Sequence, residues 1–553
     1  MNLRLSKIIL FGFFGLMVAQ FTVAQDTTKK RSVSITSVFK PVLKESAKIN
    51  FGATPPTADT MKPRLNYDIP DQNLLFAYQP GALKPMALQI DTGGRWDNTS
   101  YVKAGFGSMK TPFVQAGFSF GDGKSNGLNI YAHHVSSDGK KENQKFSNTS
   151  VSLDGFIQTA KNLEWDARLT MKQQQTYKYG YVEKDPSLLF PKDSLRQRFQ
   201  TFGGRIAMHN INRTEYDISY SPEIRIDVFT DNHKNSESNS YVNLPLHKKV
   251  GEEFAVDLGL TFDLTRLSKE DRKAINNTMY YISPSVSWLG KNINLTAGIR
   301  PSWDTKSFRL FPNITAEVNT PDKQFTFQAG WTGYVRKTSY QYLASLNPWL
   351  WAPDSLKNSW IEERYAGIKG SLADHFSYGA KVAFNTIKNQ PLFVNAYNDD
   401  QNSGKSFIYV NESRINVLNL SGQIGYTLQE KFSFIGSFSL NQFGDLKDNP
   451  KAYGLLPLEI KGALRLQVIK DLWVTADVFG WGGAHYLQET GGSGKLGSVF
   501  DLNAGLEFRI TKNLNLWSQF NNITNKEYQL WNRYPVYGFN FLAGVVFSFA
   551  QKN

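Results

Sequence analysis

Gly538-Phe539-Asn540-Phe541-Leu542-Ala543-Gly544-Val545-Val546-Phe547-Ser548-Phe549 carries an apolar residue at every odd-numbered position. In an extended chain those residues share one face, and Asn540, Gly544 and Ser548 fall on the other. A strand whose outer face meets lipid and whose inner face meets a polar lumen must alternate in this way. A strand of a soluble sandwich alternates too, so the choice depends on the rest of the chain.

At the opposite end, Arg4 and Lys7 precede the apolar run of residues 8–19, and Thr22-Val23-Ala24 supplies small residues for a signal peptidase. Residues 1–24 therefore read as a signal peptide, with the mature protein starting at Gln25. No other segment offers the roughly 18 consecutive apolar residues of a membrane-spanning helix. An exported chain that returns to a membrane without helices needs a closed barrel, because lipid satisfies no open strand edge. The chain has no Cys, which excludes a lipid-anchor thiol, a disulfide framework and thiolate metal sites.

Aromatic residues make up 14% of the chain against 41% hydrophobic residues overall, as when apolar side chains occupy every second position and rings gather at membrane interfaces. The formal net charge of +14 falls to +12 without Arg4 and Lys7. In an exported barrel such an excess suits lipid head groups and lipopolysaccharide. No basic stripe interleaved with base-stacking aromatics is present, so nucleic acid is not an expected partner.

Residues 25–99 form a separate zone. Seven of the 22 prolines (Pro41, Pro55, Pro56, Pro63, Pro70, Pro80 and Pro85) lie there and forbid long helices or central strands. The segment reads as extended, and at about 3.3 Å per residue it could reach on the order of 240 Å. It can fold back into the lumen or reach a periplasmic partner, and Ile35, Val38, Phe39 and Phe51 are its candidate docking residues.

From about residue 100 onward, alternating strands meet at tight polar turns. These fall at residues 121–127, 159–163, 210–215, 250–254, 289–293, 320–324, 372–376, 428–432, 469–472 and 510–514. Asn, Asp and Gly tolerate the backbone angles of short hairpins. After each turn the alternation restarts: Phe254, Val256, Leu258, Leu260, Phe262 and Leu264 oppose Asp257, Thr261, Asp263 and Thr265. The intervening connections are longer and more charged, for example residues 176–197, 265–277, 336–363 and 388–412. Short turns belong on the periplasmic side and long loops outside. Ten turns and eleven loops join about 22 strands, the number of large plugged transporters. The expected fold is thus all-β: an antiparallel transmembrane barrel over residues 100–553, in the outer membrane of a Gram-negative bacterium.

Two stretches resemble the TonB-dependent receptors. Asn347-Pro348-Trp349-Leu350, Pro353-Asp354-Ser355 and Glu363-Arg364-Tyr365-Ala366-Gly367-Ile368-Lys369-Gly370 resemble that family's mid-barrel pattern. Phe520-Asn521-Asn522-Ile523-Thr524-Asn525-Lys526-Glu527-Tyr528 with Tyr534-Pro535 resembles its penultimate strand and loop, and the Gly544-x-x-Phe547-x-Phe549 spacing resembles the C-terminal sorting signal of such barrels. The resemblance covers residues 100–549. It implies a receptor barrel, which in that family is gated by a globular plug of well over a hundred residues. Residues 34–40 resemble a first plug strand, but the Pro-rich remainder departs from the pattern. The whole looks more like a plug-less, receptor-like branch found in Bacteroidota.

His133 and His134 are adjacent on a strand and point to opposite faces, and the other five His residues look isolated, so no metal site is expected. No nucleophile elbow or phosphate-cradling loop occurs, so neither a catalytic site nor a cofactor is expected. The loop at 336–363 is the most suggestive surface element: Tyr340, Tyr342, Trp349, Leu350, Trp351 and Trp360 either anchor a ligand or protein partner, or fold inward. Tyr177, Tyr179 and Tyr181 fit an aromatic girdle. Two functions follow. One is a receptor-like or channel-like barrel working with partner proteins. The other is a non-transporting subunit of an outer-membrane complex for assembly, secretion or surface display.

Overall fold

The computed structural model describes residues 99–550, apart from 161, 181–191, 271, 306, 323, 374, 398–403 and 429–430. The signal peptide, the Pro-rich segment and its Ile35, Val38, Phe39 and Phe51 lie outside the described residues. Each wall strand pairs antiparallel with its neighbours, from Thr99–Gly107 to Asn540–Ala550. The first strand also pairs with the last, from Thr99 opposite Ala550 to Gly107 opposite Leu542. The sheet therefore closes on itself and has no free edge. Ile218–Tyr220 and Glu223–Asp231 both pair with Ser236–Val250 and act as two halves of one strand. They are broken at Pro222, which has no N–H to give the ladder. With these halves joined, the wall has 22 strands.

The alternation sorts side chains as lipid and lumen require. On the last strand Phe541, Val545 and Phe547 are 46%, 42% and 50% exposed on the outer face, while Val546 is fully buried inside. The inner face is less polar than its sequence suggests, because Leu542 and Val546 pack there beside Lys103 and Trp517. On Phe254–Ser268, Phe254, Val256, Phe262 and Leu264 face outward, and Thr261 and Thr265 are buried inward. The inward polar groups pair across strands: Thr261 Oγ1 donates to Asn243 Oδ1 at 2.8 Å, and Lys369 meets Glu317 at 2.6 Å. An outer aromatic belt runs through Phe262, Tyr280, Trp303 and Phe308, with Tyr280 and Trp303 stacked at 5.1 Å. Among the described residues no helix is long and apolar enough to cross a membrane.

All ten predicted turns lie on the side where the first wall strand begins and the last one ends, which is the periplasmic side of such a barrel. Their backbones explain the sequence signals: Asn162, Asp471 and Gly251 all have positive φ. Ala373 also has positive φ, 51°, where a Cβ is strained by about 1–2 kcal/mol. Ala373→Gly should raise stability by about 0.5–1 kcal/mol, after allowing for glycine's greater unfolded-state entropy. An increased urea midpoint for the refolded barrel would show this, and an unchanged or lower one would refute it.

The opposite side differs from expectation in two respects. Three of its connections, at residues 108–110, 232–235 and 305–306, are as short as hairpins. The loop expected over 265–277 spans only 269–274, because Phe254–Ser268 and Ile275–Leu289 stay paired up to Leu267 opposite Ile275.

Candidate functional site

The long loops fold into a cap that has its own hydrophobic core. The loop at 337–358 begins with the helix Tyr340–Leu346. Ser339 caps it, its Oγ accepting the Tyr342 N–H at 3.0 Å. The Glu237 carboxylate, fully buried on the inner wall, accepts the Tyr340 and Gln341 N–H groups at 2.6 and 3.0 Å. A carboxylate at a helix N-terminus satisfies orphan donors and complements the helix dipole. Tyr340 donates to Asp231 Oδ2 at 2.8 Å, and its ring packs edge-on against Phe199 and Phe229. Glu237, Phe199 and Phe229 all occupy lumen-facing positions, so this loop folds inward.

The family-like Asn-Pro-Trp step has a definite role in this arrangement. Asn347 is buried and its Oδ1 accepts the Trp349 N–H at 3.0 Å, a local turn that aims the indole across the mouth. There Trp349 Nε1 donates to the Tyr177 carbonyl at 3.0 Å, and the ring stacks on Tyr534 at 3.9 Å. Tyr179 meets both rings edge-on and donates to the Pro535 carbonyl at 2.9 Å. Tyr179, Trp349 and Tyr534 belong to loops that follow the fifth, thirteenth and twenty-first of the wall strands. Loops spaced about a third of the circumference apart can touch only near the barrel axis.

Further contacts tie the cap together. Asp354 receives Lys269 Nζ at 2.6 Å and Arg272 Nη1 at 2.5 Å. Asn277 and Asn358 exchange reciprocal amide hydrogen bonds at 2.8 Å. The hairpin of Gln390–Asn395 and Phe407–Glu412 ends on Glu412, which is fully buried. Its carboxylate accepts the backbone N–H groups of Lys447 at 2.7 Å, Asp448 at 3.0 Å and Asn449 at 2.9 Å, holding down the loop at 445–457. In the last loop Asn522, with positive φ, donates its amide to the Lys526 and Tyr537 carbonyls at 2.8 and 2.7 Å. The second family-like stretch thus serves as a loop organiser.

Of the six aromatic-loop residues singled out from the sequence, Tyr340 and Leu350 are fully buried, and Tyr342, Trp349 and Trp360 are half-buried. Trp351 is 42% exposed, with His233 and the Lys178 ammonium against its ring. Tyr179 belongs to the cap and not to a girdle. Its neighbour Tyr181 lies outside the described residues. The sequence signal that marks the cap residues is an aromatic and Asn-Pro-rich loop too apolar for a solvated tip; their meeting on the axis has no such signal. Nor is every histidine isolated. His209 lies beside Glu164 and Asp166, and His247 Nδ1 is 2.7 Å from Asp257.

Lys178 sits in the cap just past the end of Leu163–Tyr177 and is almost fully buried. Burial, and next the charge of Lys405, pull it down to about 8 from an ordinary 10.5, against the opposing pull of Asp231. An opened cap, with Lys178 solvated, therefore binds more protons between about pH 8 and 10.5. The closed form gains stability as pH rises through that window and gains nothing below it. Amide exchange at residues 340–346, corrected for its intrinsic pH dependence, should slow from pH 7 to pH 10. Lys178→Met should abolish the change, and an equal change in that variant would contradict this assignment.

A closed antiparallel barrel with a lipid-facing apolar belt, short turns on one side and long loops on the other is an outer-membrane β-barrel of a Gram-negative bacterium. Its fold is that of the TonB-dependent receptors. The FrpB iron transporter from Neisseria meningitidis superposes with a TM-score of 0.63 at 11% identity, over 82% of this chain and 81% of that one. The ferric enterobactin receptor PfeA from Pseudomonas aeruginosa gives 0.61 at 12% identity, and the siderophore receptor PirA from Acinetobacter baumannii gives 0.61 at 11%. Each of these two covers 83% of this chain and 81% of its own. No protein-family model matches the sequence, and no curated protein matches it.

Proposed function

We propose that this chain is a receptor-like barrel that acts with partner proteins and keeps its outer mouth shut by its own loops. The observation that carries the reading is the meeting of Tyr179, Trp349 and Tyr534 near the barrel axis. A receptor that takes up a large solute unaided needs an open outer vestibule, and a cap with a hydrophobic core stands in its place. In this reading residues 25–99 serve as a docking arm through Ile35, Val38, Phe39 and Phe51. Trp351 offers the outer contact. By analogy with the transporter and receptors of similar fold, a siderophore is the ligand class to test first.

The closed cap also favours a second reading, a non-transporting subunit of an outer-membrane assembly. Mild solubilisation of native membranes and affinity purification should recover stoichiometric partners, and their loss on deleting residues 26–99 would assign the docking to the arm. Recovery of a lone barrel would overturn both readings, whereas binding of a ferric siderophore would favour the first over the second.

A further inference from the structure

Glu164 and Asp166 stand two residues apart at the periplasmic end of the strand Leu163–Tyr177. Alternation puts both on the lumen side, while Trp165 between them faces lipid and is 41% exposed. His209, near the end of Arg196–Asn210, is the direct cross-strand partner of Glu164. One potential ligand atom from each of the three lies within 4.8 Å of the other two.

Glu164 is only 6% exposed, and among the described residues it forms no ion pair with Lys or Arg. A carboxylate so buried needs a cation beside it, either a protonated His209 or a bound ion. Gln158 Nε2 donates to Glu164 Oε2 at 2.8 Å, fixing the carboxylate so that Oε1 is turned to the histidine. The imidazole does not close onto either acid: Nε2 is 3.7 Å from Glu164 Oε1 and Nδ1 is 3.6 Å from Asp166 Oδ2. Both separations exceed the roughly 2.7–3.2 Å of a hydrogen bond. The imidazole stands between the two acids with a different nitrogen toward each, and a single ion would take one of those nitrogens with a carboxylate oxygen from each acid, three atoms that lie within 4.8 Å of one another.

We propose that Glu164, Asp166 and His209 form a binding site for a divalent transition-metal cation of the zinc class at the periplasmic rim of the lumen. An imidazole with two carboxylates suits zinc and its neighbours, whereas calcium and magnesium take all-oxygen sets. One ring nitrogen ligates, and Gln158 orients Glu164 from outside the ligand set, as partners of metal ligands commonly do. The ion would join two adjacent wall strands at their periplasmic ends, opposite the loop that connects them.

The test uses the full-length barrel in detergent, stripped with a chelator and titrated calorimetrically with Zn²⁺ alone, then with Ca²⁺. One equivalent of Zn²⁺ should bind and Ca²⁺ should not. His209→Ala and Glu164→Gln should each weaken binding at least about tenfold, and Gln158→Ala about tenfold. His247→Ala, on a different strand pair, should leave the binding unchanged. Heat-dependent gel migration verifies that every variant is a folded barrel. Failure to bind Zn²⁺, binding undiminished in folded His209→Ala, or equal binding of Ca²⁺ would each overturn the site.

Discussion

Replacing Trp349 and Tyr534 together with alanine should turn a quiet barrel into a conducting one. The two rings stack at 3.9 Å near the axis, and Trp349 also donates to the Tyr177 carbonyl across the mouth. Large aromatic truncations in a packed core cost about 3–5 kcal/mol each. Neither ring takes part in the hydrogen-bonded ladder of the wall, so that loss falls on the cap and not on the paired strands. Planar-bilayer recordings in a chain lacking residues 26–99 isolate the cap's contribution. There the double variant should show stepwise openings, whereas the parent chain with intact rings should stay closed. Equal conductance in the two would mean that the loops do not close the mouth.

The second large effect is at Glu412. Removal of the buried carboxylate in Glu412→Ala leaves the part-buried N–H groups of Lys447, Asp448 and Asn449 without their acceptor. Loss of these hydrogen bonds to a charged acceptor destabilises the cap by about 1.5–3 kcal/mol. The loop at 445–457 should lift away while the wall strands remain paired, because the wall's hydrogen bonds do not pass through Glu412. Limited trypsin digestion should then cut after Lys447 or Lys451 in the variant and spare the parent protein. Glu412→Gln keeps one acceptor oxygen and should be cut at an intermediate rate. Resistance of Glu412→Ala equal to that of the parent would remove Glu412 from its assigned role.

The wall follows from local constraints, and the cap from global ones. The wall can be read from the sequence because lipid on one side and polar lumen on the other impose a period of two on nearly every strand. Phe254 to Leu264 show it in sequence and in exposure alike. The turns are legible because Asn162, Asp471 and Gly251 hold backbone angles that few other residues accept. The loops obey no such period. Loops 108–110 and 232–235 read as long from the topology alone, yet they are short, because their strands stay paired to the end.

The candidate sites were the least legible part. Trp349 and Tyr534 lie far apart in the chain, and no spacing rule brings them into contact. Glu164, Asp166 and His209 form a group only once register sets His209 opposite Glu164. Closure of the sheet and the count of about 22 strands were in the sequence by itself, since alternation, turn residues and the need to leave no strand edge in lipid are local or chain-wide constraints. What covers the mouth, and which titratable groups meet inside the wall, was decided only by the tertiary structure. Cross-strand register and the convergence of loops from opposite arcs of a closed ring are long-range geometry that no single segment encodes.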